Sequence, residues 1–452
     1  MEERESFASR LGFILVSAGC AIGIGNVWRF PFVTGRYGGA WFVLFYLIFL
    51  AIMGIPVMTM EFAIGRASRK TISAAYKMLN PKAKAFRFHG YIAILGNYVL
   101  MMYYTTVSGW MSAYCMKFVT GSITSGMTKD EVTSIFGNML ASPLEMGFWM
   151  ALTVVLGFVV CGMGVRKGLE KTTKFMMGAL LLLIIILAIH SFTLPNASEG
   201  IKFYLMPNWA NIEKVGLREA MTAAMNQAFF TLSIGIATME VLGSYMSREN
   251  TLPQEAVVVC ALDTFVAVTA GLIIFPACAS FGVSPDAGPS LIFITLPNVF
   301  VNMRGGIVCG VLFFLFMTFA SFSTVLAVFE NIISYSMDTF GKSRRAATVI
   351  NCVIILIASV PCVLGYNLWS DLHIIGARDV LDSEDFLVSN LILPIGSLIF
   401  TIFCSTKYGW GFDNYLKECN SGKGIKFAKA LKPYFQYVLP VLMTLLIISG
   451  LI

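Results

Sequence analysis

The sequence predicts an all-α membrane protein of eleven spanning helices, and three observations carry that prediction. Hydrophobic residues make up 57% of the 452 residues and charged residues only 13%, the mean hydropathy is +0.77, and the apolar residues fall in continuous runs of about 20 rather than in strand-type alternation. A soluble domain carries about 25% charged residues. Half that density leaves too little polar surface to coat a water-soluble globule. Soluble enzymes and nucleic-acid binders are excluded on that ground, and outer-membrane barrels fail for want of alternation.

Reading for apolar segments bounded by charges places the spans at residues 11–35, 38–64, 88–116, 147–164, 168–190, 216–242, 255–280, 305–335, 346–366, 386–406 and 433–451. The first follows the charged start Met1 to Arg10, outruns a signal-peptide core and shows no clear cleavage site, so it is expected to be retained. An odd number of spans puts the two ends on opposite sides. Alternating the loops from a cytoplasmic N-terminus gathers the basic blocks inside: Arg66, Arg69, Lys70, Lys77, Lys82, Lys84 and Arg87, then Arg166, Lys167, Lys171 and Lys174, then Lys342, Arg344 and Arg345. By the positive-inside bias the N-terminus is cytoplasmic and the C-terminus outside, in the cell (inner) membrane. The formal charge of +7 thus reports orientation among membrane lipids, not a polyanionic partner such as nucleic acid. The ten cysteines lie mostly in apolar stretches, as Cys20, Cys161, Cys260, Cys309 and Cys352 do, with no CxxC pair; neither a disulfide nor a structural metal is expected. Two outside stretches, 191–215 and 284–303, are too amphipathic for plain linkers and are expected to fold over an opening as lids. No soluble appendage is evident, so the whole chain reads as one membrane domain.

Two spans are built differently from the rest. The first carries Gly19-Cys20-Ala21-Ile22-Gly23-Ile24-Gly25-Asn26 and the sixth carries Thr231-Leu232-Ser233-Ile234-Gly235-Ile236-Ala237. Glycine at that density, mixed with Ser and Asn, is poor helix material, so both helices are expected to open at mid-membrane. Opened backbone is tolerated there only where it lines a cavity; freed amides suit a carboxylate and freed carbonyls a cation. The first and sixth spans hold the same place in two five-helix halves, and paired interruptions point to an inverted-repeat secondary transporter. The repeats would cover about 11–190 and 216–406, with an additional helix at about 433–451. Two Gly-rich packing helices would show the same composition.

Ionisable residues inside spans cost at least about 2.5 to 3.5 kcal/mol each and so need a reason. Asp263 sits in Ala-Leu-Asp-Thr-Phe-Val-Ala, with Asn26 and Thr231 at the edges of the two interruptions. Together they offer the oxygen-only, partly anionic set that a hard monovalent cation wants. Glu61 ends an apolar span and either bonds the loose backbone of an interrupted helix or snorkels to the interface. Ser321, Ser323 and Thr324 cluster in one apolar helix, where such hydroxyls most often bond back to their own turn. The three histidines, His89, His190 and His373, are not spaced to a second ligand or paired with an intramembrane acid, so an enzyme is not expected.

At this point the residues match something specific. Ser9-Arg10-Leu11-Gly12-Phe13-Ile14-Leu15, Gly23-Ile24-Gly25-Asn26-Val27-Trp28-Arg29-Phe30-Pro31 and Gly38-Gly39-Ala40-Trp41-Phe42 resemble the first-helix signature of the neurotransmitter:sodium symporters, and Gln227-Ala228-Phe229-Phe230-Thr231-Leu232-Ser233 resembles their sixth helix. The likeness runs from about residue 4 to the last span, on the bacterial amino-acid-transporter branch. It implies a LeuT-like five-plus-five inverted repeat with broken helices 1 and 6, importing a small amino acid with sodium by alternating access.

The resemblance also implies a site. One sodium ion would take the carbonyl of Ala21 and the side chains of Asn26, Thr231 and Asp263. A second would take the carbonyls of Gly19, Ile22 and Ala320 with the hydroxyls of Ser323 and Thr324. The substrate carboxylate would rest on the Gly23–Gly25 amides, the first sodium and the hydroxyl of Tyr104, with Phe230 closing over it and Ala21 and Thr231 alongside. The pocket wall, Cys20, Ile24, Leu100, Phe230, Ser233, Ile236, Thr324 and Val328, carries no charge, which favours a neutral hydrophobic substrate, branched or aromatic. Relatives that carry amines lacking a carboxylate place Asp where this chain has Gly23, so the substrate is expected to bring its own. Arg29 with Asp385 would form an outer gate and Arg4 with Asp338 an inner one. Chloride-dependent relatives carry Asn and Ser where this chain has Asp263 and Ala267, so transport is expected to be chloride-independent, with proton antiport on Asp263. Three departures stand out: Phe7 where the family usually shows Trp, Gly178 ten residues after Gly168 where bacterial relatives often have Pro, and Glu240 at a usually apolar position, facing an inner vestibule or exchanging a proton.

Overall fold

Runs of Leu, Ile, Val and Phe can cross a bilayer only if the backbone bonds to itself, and helices do that within one segment. The computed structural model, which describes residues 4–282 and 291–451, places helices at every expected span: α1 (Arg10–Ala21), α2 (Gly25–Arg36), α3 (Ala40–Ser68), α4 (Lys84–Val119), α5 (Pro143–Gly162), α6 (Val165–Ser191), α7 (Leu217–Thr231), α8 (Thr238–Ser244), α9 (Leu252–Phe281), α10 (Gly306–Phe340), α11 (Arg344–Leu364), α12 (Val380–Ser405) and α13 (Lys429–Leu451). No strand forms among the described residues beyond two isolated bridges, Asn250 with Lys423 and Ile375 with Arg378. Starts are set by side-chain caps where the sequence supplies them: Ser9 on α1, Ser343 on α11 and Asp379 on α12 each accept from an amide in the first turn.

Eight of these helices, α3, α5, α6 and α9 to α13, are long and apolar enough to cross a membrane, and the bent pair α1–α2 makes nine. The expected count of eleven is reached only with α4 and the α7–α8 pair, which do not meet that measure. α7 and α8 are 15 and 7 residues long, each too short to span alone, whereas α4 falls short by its position. α4 turns His89, Asn97, Thr105, Thr106 and Ser108 into the protein interior, and a helix that meets protein rather than lipid needs no apolar mantle.

Both expected breaks are present. α1 and α2 meet at 54° across Ile22–Ile24. Between α7 and α8 the chain leaves the helix for Leu232–Ala237, and Ser233, Gly235 and Ala237 take left-handed φ of 51°, 107° and 63°. Only Gly fits at 235, because a Cβ there would collide with the Leu393 carbonyl of α12. Ser233 and Ala237 hold that conformation at a cost of about 1 kcal/mol or more each, so the surroundings must impose it.

The stretch 191–215 folds as two short helices, Ala197–Leu205 and Trp209–Val215, laid on the α2–α3 turn and the end of α9. Trp209 meets Trp41 edge-on at 5.5 Å, and Tyr204 stacks on Phe275 at 4.9 Å. Of the second stretch, residues 284–290 lie outside the described residues; the remainder forms Leu291–Asn302, whose Phe293 stacks on Phe136 at 4.9 Å. Phe136 belongs to a helix not anticipated, Lys129–Ala141, opened by a Thr128/Glu131 capping box. A second unanticipated helix, Phe412–Cys419, is pinned by an ion pair in which the buried Arg66 Nε lies 2.7 Å from Glu418. The α6 start fits closely against α5, since a Cβ on Gly168 would strike the Val160 carbonyl, whereas Gly178 faces open space.

Candidate functional site

The two breaks lie together beside α9 and α10, and the residues assigned to the first ion converge there. Asn26 Nδ2 donates to Asp263 Oδ1 at 2.7 Å and to the Asp263 carbonyl at 3.2 Å, Thr231 Oγ1 donates to Asp263 Oδ2 at 3.1 Å, and Asn26 Oδ1 accepts from Gly23 N–H at 3.1 Å. All are buried. Sequence reading missed two members. Tyr46 donates to Asp263 Oδ2 at 3.3 Å, and Gln227 Nε2 donates to the Gly25 carbonyl at 3.3 Å. Gln227 stands in the recognised motif without a role, whereas Tyr46 carries no local signal. Asp263 is thus a carboxylate with three side-chain donors, an arrangement that holds an anion in place where a cation can lean on it. Ala267, one turn on, is buried and offers no hydroxyl.

The second set gathers around the first break and α10. Ser323 Oγ donates to the Gly19 carbonyl at 2.8 Å and to Ala320 at 2.9 Å, and Thr324 Oγ1 donates to Gly19 at 3.3 Å and to Cys20 at 3.1 Å. Ser321 instead bonds Ser108 on α4 at 2.8 Å. These hydroxyls therefore divide by face, two to the break and one to the scaffold. Ile22 is buried in the same break, with its N–H on Ala18 at 2.7 Å.

Between the sets lies a cavity of ≈ 30 Å³, lined by Ala21, Gly23, Gly25, Leu100, Tyr104, Phe230, Thr231, Ser233, Ile236 and Thr324, with Tyr103 and Leu393 as members not expected. That volume suits about one water, so the walls are drawn in. A Cβ on Gly23 would stand 2.5 Å from Tyr104 Oη and 2.9 Å from Thr324 Oγ1, and one on Gly25 would stand 2.7 Å from the Phe230 ring. Ile24 lends its amide to Tyr104 Oη at 3.2 Å, but neither its side chain nor that of Val328 lines the cavity, contrary to expectation. Val328 lies one turn beyond Thr324, inside the packed part of α10. Cys20 contributes its carbonyl, not its side chain.

The expected outer pair does not form. Arg29 stacks its guanidinium over the Phe230 ring at 4.1 Å, and Asp385 accepts from Tyr103 at 2.9 Å and Ser389 at 2.7 Å. With Phe230 drawn over the cavity, its face takes the guanidinium, although Arg29 Nη1 is buried with no hydrogen-bond partner among the described residues, while two hydroxyls occupy the aspartate. At the other end Arg4 Nη1 meets Asp338 at 2.6 Å, with Lys70 at 3.3 Å and the Thr71 N–H at 2.8 Å on the same carboxylate. Phe7 packs edge-on against Phe13 and Tyr245. Glu61 resolves toward backbone bonding: it is fully buried, and Oε1 accepts from Gly235 N–H at 2.5 Å in the second break. The freed Ile236 carbonyl is met by Asn97 and Asn331 at 2.8 and 3.3 Å.

Two broken helices crossing beside a buried aspartate, in a bundle of apolar helices, are the architecture of a secondary transporter of the membrane. The sequence model described as "Sodium:neurotransmitter symporter family" matches residues 4–134 and 130–452, and the chain belongs to that family. It is 32% identical to an uncharacterized sodium-dependent transporter, YhdH, of Bacillus subtilis, over 89% of this chain and 87% of that one. A Haemophilus influenzae sodium-dependent transporter matches at 32% over 100% and 99%. Among solved structures, MhsT in complex with L-phenylalanine superposes with a TM-score of 0.89 at 34% identity, covering 99% of this chain and 100% of that one. The chain is a sodium-dependent integral membrane symporter with the LeuT-type fold.

Proposed function

We propose that this symporter imports a neutral hydrophobic or aromatic amino acid by alternating access. The observation that carries the reading is the buried Asp263, bonded by Asn26, Thr231 and Tyr46 at the junction of both breaks. One sodium takes Asp263, Asn26, Thr231 and the Ala21 carbonyl; a second takes Ser323, Thr324 and the carbonyls of Gly19, Ile22 and Ala320. The carboxylate of the amino acid seats on the Gly23–Gly25 amides and Tyr104 Oη after Phe230 and Arg29 swing outward. Substrate and ion raise each other's affinity, because each supplies the charge that the other lacks. The uncharged lining and the phenylalanine bound by MhsT support the substrate class. The bundle that contains both broken helices, one from each of the repeats at about 11–190 and 216–406, rocks against a scaffold of the remaining helices in the cell membrane, N-terminus inside. Asp263 stands in for chloride and returns with a proton once sodium has left.

Tyr104→Phe tests the seat of the carboxylate. It deletes one charge-assisted hydrogen bond of about 1.5 to 3 kcal/mol, so the Kd for substrate at saturating sodium should rise about 10- to 150-fold. An unchanged Kd by calorimetry would place the carboxylate elsewhere.

A further inference from the structure

Among the described residues, Glu240 is a buried acid with both carboxyl oxygens unpartnered: neither meets a hydrogen-bond donor. It lies in the first turn of α8, just past the second break, and is fully buried. An ionised carboxylate in that position is far too costly to keep, so the side chain is carried here as the neutral acid. Its charged and titratable neighbours come from every element around it. From α3 and the turn after it come Glu61 and Arg69, the latter donating to the Ser244 carbonyl at 3.0 Å. From the segment before α1 comes Arg4, and from α10 come Asp338 and, through Tyr245, Glu330. Tyr76 faces it from the short helix Ile72–Leu79. None of them bonds its carboxyl group. Arg4 is engaged instead with Ser244 Oγ, one turn beyond Glu240 on the same face, at 2.9 Å, and with Asp338 at 2.6 Å.

The segment before α1 lies against this site and is held by polar contacts along its length: Arg4 to Ser244 and Asp338, Val165 N–H to Glu5 (2.7 Å), Arg344 to Glu5 (3.3 Å), Arg166 to the Ser6 carbonyl and hydroxyl (each 2.7 Å), Ala8 N–H to Glu170 (2.7 Å) and Phe7 N–H to the Tyr245 carbonyl (3.2 Å). A cavity of ≈ 290 Å³ lined by Ser6, Phe7, Arg69 and Tyr245 lies at the end of α8, so a lift of this segment would bring water to α8.

We propose that Glu240 is a proton-binding site of the inner gate: a proton taken from the side where Arg4 and Asp338 lie keeps the gate shut, and its loss opens it. The neutral acid fits the closed arrangement, which supplies no donors. The carboxylate is stable only where water solvates it, in the open one. Deprotonation therefore shifts the population toward open. Proton and gate meet on one side of the membrane, so this site senses pH and carries no proton across. The inference rests on alternating access for what the gate does, but needs neither Asp263, sodium nor substrate.

The test is hydrogen exchange by mass spectrometry on the full chain in nanodiscs, in sodium-free buffer from pH 6 to 9, with amides of residues 5–13 corrected for intrinsic exchange. In the wild type the open population should rise by up to about 10-fold per pH unit across the titration. Glu240→Gln should be flat and closed, Glu240→Asp should restore the slope, and Asp263→Asn should keep it. A wild-type slope in Glu240→Gln, or no slope in the wild type, overturns the proposal. If Glu240→Gln does not fold, Glu240→Leu replaces it with the same expectation and the same overturning result. Loss of sodium-driven uptake with the slope intact would count against the transport reading and not against this one.

Discussion

Sodium-driven uptake is expected to fall by at least about 100-fold in Asn26→Leu while the protein still reaches the membrane. The substitution removes an oxygen of the proposed sodium site, frees the Gly23 amide and strips Asp263 of its shortest side-chain bond, 2.7 Å. Each loss around a charged group is of the order of 1.5 to 3 kcal/mol, and their sum exceeds the 2.7 kcal/mol of a 100-fold change. Ser323→Ala, which removes the 2.8 Å bond to the Gly19 carbonyl, should reduce uptake less but raise the sodium concentration needed for half-maximal rate. Initial-rate uptake against sodium concentration, with surface labelling for expression, reads both. Near-normal rates in the two variants would sink the ion-site assignment.

Arg344→Met should cost about 3 to 5 kcal/mol of stability, because it leaves Glu330 buried without its counter-charge. Arg344 meets both Glu330 oxygens at 2.8 Å and also holds the Cys161 carbonyl at 2.9 Å, tying α10, α11 and α5 together. The thermal-shift midpoint in detergent should drop by several degrees. The double variant Glu330→Leu with Arg344→Met should recover most of that loss, since two absent charges are cheaper than one unpaired. An exposed pair serves as the control: Lys429→Ala, whose partner Asp413 is solvent-facing at 3.8 Å, should stay within error. Equal shifts for the buried and exposed variants would mean that Glu330 is not dry.

The spans were legible because a run of about 20 apolar residues has one fate in a bilayer, and the breaks because Gly23, Gly25 and Gly235 interrupt such runs. Asp263 was legible by cost, being an acid where none is free. What escaped depends on pairs distant in sequence. Tyr46 reaches Asp263 and Arg66 reaches Glu418 only after folding, and nothing near Tyr46 or Arg66 distinguishes them from other interface residues. Arg29 shows a different limit. Its motif implied a partner in Asp385, but with Phe230 drawn in, an aromatic face lies closer and two hydroxyls already occupy the carboxylate. The short helices Lys129–Ala141 and Phe412–Cys419 escaped because mixed polar segments of that length carry no membrane signal, even though the Thr128 and Glu131 capping box was present in the sequence.

Uptake into proteoliposomes tests the central claim most directly. The protein is reconstituted with an inward sodium gradient, gluconate replaces chloride on both sides, and the twenty radiolabelled amino acids are compared with potassium in place of sodium. The account predicts sodium-dependent accumulation of neutral hydrophobic or aromatic amino acids at an unchanged rate without chloride, and a chloride requirement in Asp263→Asn with Ala267→Ser. Accumulation that ignores the sodium gradient, or that stops in gluconate for the wild type, would contradict it.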